Sequence, residues 1–369
     1  MSSPKLHDAH IQSVVQIVTP RELRSELPHT PVTSRTVVQG REAVERVIDR
    51  DDHRLLAVVG PCSIHDLDAA SEYARRLSAL AVELKESLLI IMRVYFEKPR
   101  TSLGWKGLIN DPYLNDTFRI DEGLRKARRF LLDVANLNLP VATEALDPLM
   151  PQYIGDLISW TAIGARTTES QTHREIASGL STAVGFKNAT DGSFDAAINA
   201  IKAALGPHHF LGVTEEGHSA VYGTTGNPYP HIVLRGGAKP NYDAESIVRC
   251  EHALQKAGLP AAILVDCSHG NSNKNHDLQP TVLDNIVSQI EAGNRSIIGF
   301  MIESNLYAGT QPIAKNLADL KYGVSVTDAC IDWPTTENAL RSAAERLKDL
   351  LPQRIATASQ DRPHTGESP

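Results

Sequence analysis

A closed (β/α)8 TIM barrel, with an N-terminal extension and a β-hairpin inserted before its sixth strand, is the fold class this sequence predicts, and three observations predict it. Short apolar runs alternate with amphipathic helical stretches, eight such runs occur, and each delivers a polar or charged side chain just beyond its end. Alternation of buried parallel strands with helices leads to either a doubly wound sheet or a closed barrel, and eight units favour the barrel. With 369 residues, 41% of them hydrophobic, the chain can bury one large domain plus extensions.

The elements follow in chain order. Residues 1–50 read as an extension, punctuated by Pro20, Pro28 and Pro31 before a helical pattern at 40–50, and expected to pack on the barrel or on a partner subunit. The barrel is expected over 51–352, with strands at 55–59, 88–94, 140–145, 160–165, 182–186, 232–234, 261–265 and 297–302. Helices are expected at 68–86, 121–136, 148–158, 194–205, 243–257, 281–292 and 335–350. The stretch 209–226 breaks the rhythm: its two β-like runs, rich in flanking Gly and Pro, read as the inserted hairpin. The polar residues 353–369 read as a disordered tail.

Composition excludes several classes. No apolar run approaches the ~20 residues that cross a bilayer, and a net charge of -7 offers no footprint for a nucleic-acid backbone. The first residues lack the basic-then-apolar pattern of a secretory signal. Four scattered cysteines are too few for a disulfide scaffold, which points to a reducing, cytoplasmic compartment.

A barrel enzyme works from the C-terminal ends of its strands, so the residues after each run are the candidates. They are Cys62, Arg93 with Lys98, Glu144, Arg166, Lys187, Arg235, His269 and Glu303, strand by strand. The cations Arg93, Lys98, Arg166, Lys187 and Arg235, with Arg100 and Lys106 close by, suit a ligand bearing several anionic groups; ion pairing with neighbouring acids is the plainer alternative. Cys62, His269, Glu303 and Asp328 make a mixed thiolate, imidazole and carboxylate set suited to a divalent first-row transition metal such as Mn, Fe, Co or Zn. Cys62 is equally compatible with a small buried hydrophobe, and Asp328 with a helix cap.

Several of these residues lie in long motifs. Gly60-Pro61-Cys62-Ser63-Ile64-His65, the run from Arg93 to Gly107, Gly164-Ala165-Arg166-Thr167-Thr168-Glu169-Ser170-Gln171, Gly185-Phe186-Lys187-Asn188, Leu234-Arg235-Gly236-Gly237, the run from Asp266 to Gly270 and Ser325-Val326-Thr327-Asp328-Ala329-Cys330 resemble the type I 3-deoxy-D-arabino-heptulosonate-7-phosphate (DAHP) synthases, the microbial class inhibited by amino acids. The resemblance implies a metal-dependent aldol-like condensation of phosphoenolpyruvate with erythrose 4-phosphate, the first step of the shikimate pathway. It implies metal ligands at Cys62, His269, Glu303 and Asp328. It places phosphoenolpyruvate at Arg93, Lys98, Ala165, Arg166, Lys187 and Arg235, and the sugar phosphate at Arg100 and Thr101. Lys98 is the expected proton donor, Glu144 the residue that orients water, and His269 a further catalytic group.

Family members also bind Phe, Tyr or Trp as a feedback inhibitor, which here implicates Pro148, Pro151, Gln152, Ile176, Leu180, Ser181, Phe210, Gly212 and Tyr222. Gly212 and Tyr222 depart from the phenylalanine-sensitive pattern, so the effector stays open. A homodimer or homotetramer is implied. The nearest rival is a synthase using arabinose 5-phosphate; Lys-Pro-Arg-Thr at 98–101 argues for the shorter sugar. A catalytically silent, effector-binding subunit is the rival from another class.

Overall fold

The computed structural model describes residues 7–100 and 103–356. Two helices precede the barrel, α1 (Pro20–Glu26) and α2 (Pro31–Ile48). Then come β1 (Leu55–Gly60), α3 (Leu67–Glu83), β2 (Leu88–Arg93), α4 (Ile120–Asn136), β3 (Val141–Glu144), α5 (Met150–Ile154), β4 (Trp160–Ile163), α6 (Gln171–Gly179), β5 (Ala183–Lys187) and α7 (Asp195–Leu205). A hairpin of β6 (His209–Val213) and β7 (Ser219–Gly223) leads into β8 (Pro230–Leu234), α8 (Ala244–Lys256), β9 (Ile263–Asp266), α9 (Gln279–Glu291), β10 (Ile297–Glu303), α10 (Trp333–Leu347) and α11 (Leu351–Ala356).

Eight strands close into a parallel barrel in the order β1-β10-β9-β8-β5-β4-β3-β2, and β6-β7 stands apart as an antiparallel pair. Every barrel strand is buried along its length, as parallel strands covered on both faces must be. Alternation sorts their side chains. Leu55, Ala57 and Val59 of β1 face the helices, whereas Leu56 and Val58 join Leu89, Ile91, Trp160, Val233, Leu264 and Met301 in the interior. Trp160 fills that interior because Gly185 leaves room; a Cβ there would lie 2.4 Å from Trp160 Cζ2. Ala43, Val44 and Val47 of α2 pack into the same cluster and close the N-terminal mouth.

The structure differs from expectation mainly before the barrel. The helical pattern at 40–50 is only the second half of α2, and α1 was not expected at all. Pro20 and Pro31 each stand at the first helical position, after Thr19 and Thr30 capping boxes, so prolines that look like breaks are helix starts. The helix expected at 148–158 is one short α-helix followed by a 3-10 turn, Gly155–Leu157. The tail expected to be disordered from 353 begins inside α11; positions 357–369 lie outside the described residues.

Candidate active site

The C-terminal ends of the barrel strands surround a cavity of about 400 Å³, lined by Arg93, Lys98, Arg100, Arg166, Lys187 and Arg235, with Ala165, Glu144, His269 and Asp328 also in its wall. Thr101 lies outside the described residues.

Acids and one thiol gather on one side of this cavity. Single ligand atoms of Cys62, Glu303 and Asp328 all lie within 4.8 Å of one another. His269, expected with them, stands outside that cluster: its Nε2 is 3.9 Å from Glu303 Oε1, and its Nδ1 is 3.0 Å from Asp266 Oδ2. The backbone holds His269 at φ 57°, a left-handed conformation uncommon outside glycine and frequent at functional sites. Asp328 caps no helix, since α10 begins at Trp333 with Asp332 as its cap.

Second contacts fix this group. Ser268 Oγ donates to Glu303 Oε2 at 2.7 Å and Arg93 Nη2 donates to Oε1 at 2.8 Å. Burial opposes ionisation of Glu303, yet His269, Arg93 and Lys98 outweigh it and hold the carboxyl down to about 2. Burial, then Glu303, pushes the Cys62 thiol up, and Lys98 acts against both. One thiol and two carboxylates, one of them buried, converge here, with the thiol kept protonated by burial; they fit a divalent transition ion, whose charge would deprotonate the sulfur.

The cations divide into two kinds. Arg93 is buried beneath the cavity, donating also to Cys62 O at 3.3 Å and lying 3.6 Å from the Tyr95 ring centroid, so it supports the acids more than it faces solvent. Lys187 pairs with Asp266 at 2.8 Å. Arg100 and Arg166 are exposed and Arg235 half-buried; Arg100 Nε donates to Trp105 O at 2.8 Å and Arg235 Nη1 to Gly236 O at 3.3 Å, which leaves their other guanidinium nitrogens to an anion. Lys98 Nζ is held 3.0 Å from Cys62 O and 3.1 Å from Cys62 Sγ. Its loop is pinned where Lys98 N donates to Lys106 O at 2.9 Å, and Gly107, at φ 118°, leaves space that Phe96 O occupies.

Glu144 is buried, and its Oε1 has no hydrogen-bond partner among the described residues. It also lines a second cavity of about 570 Å³, so one carboxylate stands in the wall of both. Pro148, Pro151, Gln152, Ile176, Leu180, Ser181, Phe210 and Tyr222 all line this second space. Gly212 does not: the Tyr222 ring covers it, so that a Cβ would meet Tyr222 Cδ2 at 2.7 Å. Tyr222 stacks on Phe210 at 5.7 Å and donates to Gln152 Oε1 at 3.1 Å.

Three residues escaped the sequence reading. Asp266 ties Lys187 to His269, and only its place beside His269 in Asp-Cys-Ser-His-Gly hinted at it. Arg24 of α1 reaches the second cavity, donating to Gln152 O at 2.7 Å and pairing with Glu215, a contact across the chain that no local pattern signals. Glu97 lines that cavity too.

Comparison with known proteins agrees with this geometry. Residues 30–341 match the DAHP synthetase I family. The Tyr-sensitive phospho-2-dehydro-3-deoxyheptonate aldolase of Escherichia coli K12 is 52% identical over 356 residues, 96% of this chain and 100% of that protein. The Phe-sensitive enzyme of the same organism is 51% identical over 341 residues, covering 92% of this chain and 97% of its own. The solved phospho-2-dehydro-3-deoxyheptonate aldolase of Francisella tularensis SCHU S4 superposes with a TM-score of 0.89 at 47% identity, covering 92% of this chain and 98% of that one. With matches spanning nearly its whole length, this chain belongs to the DAHP synthetase I family.

Proposed function

We propose that this enzyme condenses phosphoenolpyruvate with erythrose 4-phosphate to give DAHP and inorganic phosphate, opening the shikimate route to chorismate and the aromatic amino acids. The carrying observation is a single cavity whose wall holds a ring of cations and Asp328, with the buried Cys62 and Glu303 ligand atoms within 4.8 Å of Asp328. Two mutually repelling anions need such a ring before they can react.

Arg166, Lys187 and Arg235 bind the phosphate and carboxylate of phosphoenolpyruvate, with Arg93 and the Ala165 segment below them. Arg100, together with Thr101, takes the phosphate of the sugar. Cys62, Glu303 and Asp328, with His269 beside them, would hold a divalent transition metal ion, which when bound supplies Lewis-acid polarisation of the aldehyde. A carbon–carbon bond forms between the methylene carbon of phosphoenolpyruvate and the aldehyde carbon, and Lys98 Nζ gives the aldehyde oxygen its proton. Glu144 orients the water that adds to the adjacent carbon, whose bond to the phosphate oxygen then breaks. Holding the reactants in attack geometry is worth roughly 7–11 kcal/mol, the main service of the cations.

The second cavity is the inferred site of an aromatic amino acid effector, Phe, Tyr or Trp. The E. coli relatives named Tyr-sensitive and Phe-sensitive support such an effector, as does the stacked Phe210–Tyr222 pair in the wall. Effector and substrate affinities are then reciprocally linked. Exposed Val14, Val15, Leu211 and Val221 support a homodimer or homotetramer. Four free, buried cysteines support a reducing, cytoplasmic setting, and no helix among the described residues is long and apolar enough to cross a membrane.

Chelation tests the metal assignment. Activity should vanish with chelator and return with a divalent transition ion, and Cys62→Ala should bind that ion weakly and turn over nothing. A fully active Cys62→Ala enzyme would remove Cys62 from the ligand set.

A further inference from the structure

At the end of the barrel opposite the reaction rim, three arginines converge where nearby carboxylates are committed elsewhere. Arg50 follows α2, Arg295 precedes β10 and Arg354 stands in α11. Arg50 and Arg295 line two adjoining cavities of about 620 and 50 Å³, and Arg354 lines the smaller. Arg50 Nη2 donates to Ala261 O at 3.1 Å and Ser296 O at 3.3 Å, and Arg354 Nη2 donates to Arg295 O at 3.0 Å and Ile297 O at 2.7 Å. These bonds fix both guanidinium groups through one terminal nitrogen each. Arg354 Nε is buried and has no hydrogen-bond partner among the described residues.

The electrostatics point the same way. Burial pushes Arg50 down to about 10, and burial followed by repulsion from Arg50 and Arg295 does the same to Arg354. Among the described residues two carboxylates border the cavities, and both are occupied. Asp52 accepts from Arg54 Nε at 3.0 Å, and Glu251 accepts from Ser296 Oγ at 2.5 Å and Asn294 Nδ2 at 3.0 Å. Like charges gathered in partly buried space disfavour the folded state until an anion joins them.

We propose that Arg50, Arg295 and Arg354 form an oxyanion site at the N-terminal mouth of the barrel, one that takes a phosphate group. Guanidinium forks match phosphate oxygens in paired bonds, and the larger cavity leaves room for the remainder of a small phosphorylated ligand. The site is separate from the reaction cavity and does not depend on the proposed reaction.

Crystals of the full chain grown without oxyanions and soaked in selenate should show an anomalous peak between the three guanidinium groups, besides one at the C-terminal rim. Absence of the rim peak alone would count against the active-site assignment and leave this proposal standing; absence of the peak among the arginines would overturn it. In solution, with the reaction rim saturated by phosphoenolpyruvate, inorganic phosphate should raise the melting temperature further through this site. Arg354→Ala should weaken that response about tenfold, the loss of one or two charge-assisted bonds, with KM for phosphoenolpyruvate unchanged. Should Arg354→Ala fail to fold, Arg295→Ala carries the same readout, its side chain being exposed. Undiminished phosphate stabilisation in these variants would refute the site. Repeating the titration with glucose 6-phosphate separates a phosphorylated metabolite, which binds more tightly, from free phosphate, which binds equally well; either result supports an oxyanion site.

Discussion

Replacing Glu97 with glutamine should remove a large part of the pH dependence of stability. Glu97 is 6% exposed, bordered by Asp147 and Glu144, and burial followed by the Asp147 charge pushes its carboxyl from an ordinary 4.5 up to about 8. A raised folded-state value means that the native protein holds a proton the unfolded chain releases. The stabilisation is therefore complete below pH 4.5 and is lost as pH climbs towards 8. Between pH 5 and pH 7 the unfolded chain ionises almost fully and the folded one hardly at all, which amounts to about 2–3 kcal/mol at 1.36 kcal/mol per unit. Denaturant titrations of both proteins at the two pH values measure it. The native protein should lose about 2–3 kcal/mol more than Glu97→Gln on going from pH 5 to pH 7. Parallel losses would mean that Glu97 is ionised in the fold and that water or a cation reaches it.

Other expectations concern the two cavities and their shared wall. Lys187→Ala leaves Asp266 buried without its 2.8 Å partner and should cost about 3–5 kcal/mol in chemical denaturation, besides abolishing turnover; a cost below about 1 kcal/mol would mean that His269 balances the acid alone. Gly164→Ala places a Cβ 2.3 Å from Glu144 Oε1 and must displace that carboxylate, so kcat should fall about 100-fold in a folded enzyme. An unchanged kcat would take Glu144 out of the reaction. Gly212→Ala crowds Tyr222, which should lose its bond to Gln152 and raise the inhibitory concentration of the aromatic effector a few-fold, about 1 kcal/mol, at constant kcat. Unaltered inhibition would place the effector away from Tyr222.

The barrel was legible because buried parallel strands must be continuously apolar, and Leu55–Gly60 or Ile297–Glu303 can hardly be read otherwise. Its rim was legible for a related reason: a charged residue ending such a run has nowhere to go but the mouth. What sequence could not supply was which charges satisfy one another. Arg93 reads as a substrate cation, yet in the fold it is tied to Glu303 and the Cys62 carbonyl, a pairing made by closing β1, β2 and β10 side by side. Asp266 gains its place at the centre of the site only when Lys187 of β5 arrives across the barrel. α1 and the first half of α2 were hidden for a local reason, since Pro20 and Pro31 signal a helix start and a chain break in the same letters.

The most direct test of the assigned reaction is consumption of phosphoenolpyruvate by the metal-loaded enzyme with erythrose 4-phosphate or arabinose 5-phosphate as the second substrate. The cation ring and the Cys62–Glu303–Asp328 cluster predict consumption with the four-carbon sugar, accompanied by stoichiometric release of inorganic phosphate. Consumption with the five-carbon sugar alone, or none with either, would contradict the assignment.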